Sequence, residues 1–129
     1  ILHLNTHLDH RSQEARALAS RLIVSRVAEL EAQGPPEGCG ELAGSIVTGD
    51  FNCQQRGPGG GCGGVFAEFR TAGFRDACAE SSNDDLVPLC TFHAWQPEAH
   101  ARALGPPASH RHIDWILWRG QRLEQAGFE

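Results

Sequence analysis

The chain has 129 residues, 40% of them hydrophobic and 21% charged, with a net charge of −5. This is one domain's worth of ordinary globular composition, neither disordered nor membrane-spanning, since no apolar run approaches the roughly 20 residues of a bilayer span. All 11 basic residues are arginine, and the acidic balance argues against a broad basic footprint for long nucleic acid.

In chain order, Ile1-Leu2-His3-Leu4-Asn5-Thr6-His7-Leu8 alternates as a strand, with Ile1, His3, Asn5 and His7 on one face and the leucines on the other. Ser12 is placed to cap a following helix, with Glu14 in its first turn near the positive helix end. Ala15, Leu18, Leu22, Val27 and Leu30 recur at helical spacing as the expected buried stripe, and Gly34-Pro35-Pro36 is a strong stop. The arginines of this helix carry no sign of ligand binding, and residues 34–44, rich in Gly, Pro and Glu, read as a solvent loop.

Ser45-Ile46-Val47-Thr48-Gly49-Asp50-Phe51-Asn52 opens as a β-branched strand. If the extended backbone persists, Ile46, Thr48, Asp50 and Asn52 share one face. A carboxylate and an amide at such a strand end can hold a hydrated cation and orient a water; taken alone, Gly-Asp-Phe-Asn also reads as a turn. The Gly-rich run at about 53–64 lacks the Gly-Lys-Ser/Thr ending of a phosphate-binding loop and reads as a low-complexity insertion. Residues 65–72 read as a short helix ended by Gly73, followed by Phe74-Arg75-Asp76-Ala77 and a loop over 79–88. A second loop covers 94–109. The last recognisable strand is centred on Ile113 to Trp118, with His110, His112, Asp114, Ile116 and Trp118 on one face, and one more strand is expected to begin within 121–129.

The five cysteines, Cys39, Cys53, Cys62, Cys78 and Cys90, are an odd number and lack the tight pairs of a zinc ribbon. Cys53 and Cys62 flank the Gly-rich run, either as a disulfide or as free thiols. A Cys/His zinc module using Cys53, Cys62 and His93 ranks last among the readings because its spacings are irregular.

Asn-Thr-His-Leu (5–8), Gly-Asp-Phe-Asn (49–52), Thr91-Phe92-His93 and Ile-Asp-Trp-Ile (113–116), in that order, resemble the endonuclease/exonuclease/phosphatase superfamily of metal-dependent phosphoesterases. The matching segments span residues 1–118 and correspond to the second half of the family's domain. The resemblance implies an α/β fold, a four-layer α/β/β/α sandwich of two mixed sheets, of which residues 1–129 would supply roughly the C-terminal half. The chain contains no Met, so Ile1 is not a translation start, and a missing N-terminal half is the expected partner.

The implied chemistry is Mg²⁺- or Mn²⁺-dependent hydrolysis of a phosphoester. His7 would stabilise charge on the scissile phosphate. Asp50 would orient or deprotonate the attacking water, and Asn52 would hold that water or a phosphoryl oxygen. Asp50 and Asn52 would bind the metal, and Asp114 would normally orient a histidine. The substrate is a phosphoester, with nucleic acid, phospholipid and inositol phosphate as candidates. Four departures stand out: the family's metal-binding Glu and early Asn are absent, its Ser-Asp-His motif is absent, and His112 stands where many relatives carry Arg. These leave a second reading, a catalytically incomplete segment that acts only by binding. His10 and His93 are read as neighbouring loop residues rather than ligands.

Overall fold

The computed structural model describes residues 1–54, 62–77, 91 and 112–125. Their elements are β1 (Leu2–His7), α1 (Gln13–Gln33), β2 (Ser45–Asp50), α2 (Gly63–Thr71), β3 (Arg75–Asp76) and β4 (Asp114–Arg119). The four strands form one mixed sheet in the order β1-β2-β4-β3. β1 and β2 are parallel, joined by α1 as the crossover, while β4 runs antiparallel to both β2 and β3. The protein is therefore mixed α/β, and among its described residues no helix is long and apolar enough to cross a membrane.

Both helices cover the same face of the sheet. Val47, Trp115 and Leu117 from that face meet Val27 of α1 and Val65, Phe66 and Phe69 of α2 in the main core. Phe51, immediately after β2, sits at the centre of an aromatic cluster. It stacks on Phe66 with ring centroids 5.9 Å apart and meets Phe69 at 5.6 Å. Phe66 in turn meets Trp115 edge-on at 4.8 Å. Such offset and edge-to-face pairs contribute beyond the apolar area they bury. Arg119 ties the far end of the sheet together. Its guanidinium pairs with Glu31 at 2.6 Å and donates to the Ala72 carbonyl, so α1, α2 and β4 share one anchor.

Ser12 does cap α1, accepting from the Ala15 amide, and Gly34 ends it at φ 75°. The buried stripe differs from the expected one. Val27 is buried as expected, but Leu18 and Leu22 are exposed, and Arg16 and Ser20 are buried in their stead, with Ile23 and Val24 packed beside them. Close approach selects this face. Ala17 lies 3.8 Å from where a side chain on Gly64 of α2 would begin, and Ser20 returns its hydroxyl to the Arg16 carbonyl. Arg16 reaches back to the Asp9 carbonyl at 2.8 Å.

Two further expectations are corrected. Arg75–Asp76 forms a short strand on β4 where only a lead into a loop was read. Residues 121–125 form a turn and irregular backbone, so the described part of the expected extra strand is not one. The loops read over 79–88 and 94–109 lie outside the described residues.

Candidate functional site

The parallel register of β1 on β2 sets His7 opposite Asp50, and the antiparallel register of β2 on β4 sets Asp50 opposite Asp114. Three residues far apart in sequence thus form one row across three adjacent strands, at the edge where β1 and β2 end and β4 begins. The row lies on the face away from the helices, because Val47, Trp115 and Leu117 of the alternate positions occupy the core.

Asp50 accepts a hydrogen bond at one carboxylate oxygen and has His7 near the other. The Asn52 amide donates to Oδ1 at 2.7 Å, and His7 Nε2 lies 3.5 Å from Oδ2. The His7 side chain is 74% exposed and that of Asp50 is 28% exposed, so the pair faces solvent. The Phe51 amide donates to the Ile113 carbonyl directly opposite it. Asp50 and Asp114 are therefore a non-hydrogen-bonded pair, the closer of the two kinds of antiparallel pair. Like charges placed directly opposite each other destabilise a sheet. The arrangement is electrostatically incomplete and suited to a cation or a proton donor.

Asn52 departs from its expected geometry. β2 ends at Asp50, and Asn52 adopts the left-handed conformation at φ 46°. It therefore does not continue the alternation that would align it with Asp50. Its backbone amide caps Asp50 while its side-chain amide donates to the Leu8 carbonyl at 2.9 Å, bracing the ends of β1 and β2. Both the turn and the strand read from Gly-Asp-Phe-Asn are present, and they meet at Asp50.

His112 also departs from the shared face expected of it. Its ring stacks on Trp115 at 4.0 Å between centroids and 6° between planes, on the core side of β4. Trp115 donates its indole N–H to the Cys53 carbonyl at 2.8 Å, linking β4 to the segment just beyond Asn52. His10 lies on the loop before α1, accepting from Arg11, in keeping with its reading as a loop residue. His93 lies outside the described residues.

Thr91 has a contact that spacing alone does not reveal. Its hydroxyl accepts from the amides of Ile113 and Asp114 at 3.0 and 3.1 Å. The only sequence signal was the resemblance carried by Thr91-Phe92-His93, which holds no information about which strand it meets. Cys53 and Cys62 form a disulfide with Cα atoms 5.7 Å apart, which removes both thiols from the zinc reading.

The donor chemistry fits a hard divalent cation, because Mg²⁺ takes oxygen ligands, needs only one or two carboxylates and keeps several waters. Asp50 and Asp114 offer those carboxylates from facing positions. Among the described residues no three His, Cys, Asp or Glu side chains form a closed cluster able to hold an ion. Comparisons with protein-family models, with curated proteins and with solved structures find no match for this chain.

Proposed function

We propose that the His7–Asp50–Asp114 row is the hydrolytic site of a divalent-cation-dependent phosphoesterase of the endonuclease/exonuclease/phosphatase kind. The observation that carries this reading is the register, which brings three sequence-distant motifs into one row at one sheet edge. Open α/β sheets bind ligands at such strand ends.

Asp50 and the facing Asp114, with Asn52 as a further oxygen donor, would hold Mg²⁺ or Mn²⁺, which would polarise the phosphoryl oxygens and offset the two carboxylates. Asp50, oriented by the Asn52 amide on Oδ1, takes the proton of the attacking water as the water oxygen bonds to phosphorus. His7, exposed and alongside, donates a hydrogen bond to a phosphoryl oxygen as negative charge develops there. Asp114 completes the row as the acid that orients a neighbouring donor. The bond to the leaving alkoxide breaks in line with the attack.

In the finer architecture proposed, the open sheet face is where a second mixed sheet would pack, giving the four-layer sandwich. Ile116 on that face is 45% exposed, and Ile46 beside it is only partly buried. The competing reading, a segment that binds without catalysis, rests on the missing Glu and Ser-Asp-His motif.

The test is hydrolysis of a chromogenic phosphodiester and a phosphomonoester by the longest protein carrying this chain, with and without Mg²⁺ or Mn²⁺. Turnover is expected only with the cation, and Asp50→Ala should lower it by at least about 10²-fold, the scale of one positioned acid–base group. Near-normal activity in that variant would remove Asp50 from the mechanism, and no turnover with either ion would favour the binding segment.

A further inference from the structure

Among the described residues the carboxylate of Asp114 has no hydrogen-bond partner, and its place opposite Asp50 follows the backbone register. That backbone is held by the Phe51 amide on the β2 side and by Thr91. The hydroxyl of Thr91 accepts the amides of Ile113 and Asp114, 22 and 23 residues further along the chain. In a regular strand successive N–H groups point to opposite edges. One oxygen taking two in succession therefore fixes the bend at which β4 enters the sheet. The Ile113 amide, which a continued ladder would direct back to Phe51, turns to Thr91 instead, while the Ile113 carbonyl still accepts from Phe51 at 2.7 Å. Asp114 is the next residue, and its pairing with Asp50 is the last of the β2–β4 ladder.

We infer that Thr91 is a positioning residue. Its hydroxyl sets the entry of β4 and thereby the gap between the carboxylates of Asp114 and Asp50. For its consequence in catalysis, though not for its hold on Asp114, this rests on the phosphoesterase reading. Without the hydroxyl both amides lose their acceptor, and water can replace it because Thr91 is exposed. The loss therefore falls on geometry more than on stability, and displacements near 1 Å at a catalytic site can cost about 10²-fold in rate.

The experiment uses Thr91→Val, which keeps the shape and removes the hydroxyl, and Thr91→Ser, which restores it, in the same protein assayed above. Amide hydrogen exchange at residues 113 and 114 should accelerate by at least about 10-fold in Thr91→Val, while 115–119 keep their protection, and Thr91→Ser should behave as wild type. With a diester and Mg²⁺, Thr91→Val should lower kcat by about 10-fold with KM within about twofold, and Thr91→Ser should recover it. In an Asp114→Asn background, Thr91→Val should change kcat by less than about twofold, because the two act through one group. Unchanged exchange at 113 and 114 would overturn the inference, as would a full loss in the Asp114→Asn background or a failure of serine to rescue. If the wild type hydrolyses no phosphoester, the phosphoesterase reading fails, and the exchange measurement still decides whether Thr91 holds Asp114.

Discussion

Gly49 stands one residue before Asp50 at φ 139°, and a Cβ placed there would collide with the Thr6 carbonyl on the neighbouring strand. Both the backbone angle and the approach of β1 to β2 require glycine, immediately beside the His7–Asp50 contact. Gly49→Ala should therefore cost at least about 2 kcal/mol in denaturant unfolding. It should also weaken any divalent-dependent activity without altering a chemical group of the site. At the other end of β1's exit, Asp9 accepts the amides of Ser12 and Arg11 at 2.6 and 2.7 Å. The Ser12 bond, then the Arg11 bond, hold its carboxyl below the usual carboxylate value. A carboxyl depressed in the folded state contributes stability above its unfolded pKa, and that contribution is lost as pH falls through the folded value. Asp9→Asn should lower stability near neutrality and flatten its loss below about pH 4, so that variant and wild type converge in acid, as followed by circular dichroism across pH.

Among the elements, α1 shows where periodicity misleads. Apolar residues occur around most of this helix, so a stripe through Leu18 and Leu22 is as regular as the true one. The small side chains that allow close packing decide between them. Val27→Ala should cost about 2 kcal/mol, whereas Leu22→Ala should stay within about 0.5 kcal/mol, as read by paired chemical denaturation curves. The cap at Ser12, the stop at Gly34, the strands carrying His7, Asp50 and Asp114, and the short helix before Gly73 were legible because local chemistry determines each. The turn at Asn52 was only half legible. Its left-handed backbone depends on the Leu8 carbonyl 44 residues earlier, a partner that no local pattern announces. The two-residue β3 and the double acceptance by Thr91 were hidden for the same reason, since pairing across the chain creates them. The row itself could be anticipated as strand ends carrying polar residues, but its one-to-one register could not, because motif order does not fix strand neighbours.

Among the described residues, two helices cover one sheet face and no helix covers the other, where Trp118 is buried and Ile116 is exposed. The open face is polar along β1, where Thr48 of β2 bonds with His3 and Asn5 at 2.9 and 3.1 Å, and apolar along β4 at Ile116. An exposed apolar face and open strand edges invite association. Residues 1–129 should therefore self-associate, which sedimentation at several concentrations checks. The open face also makes Ile116 a reporter whose sign depends on what lies above it. In solvent, Ile116→Thr exchanges a sticky methyl surface for a hydrated hydroxyl and should raise solubility with almost no loss of stability. Beneath a second sheet the same hydroxyl would be dry and without a partner, at a cost of about 1–3 kcal/mol. One substitution, beneficial in the short chain and harmful in a longer protein, would thus reveal whether this surface is an exterior or the midline of a larger core.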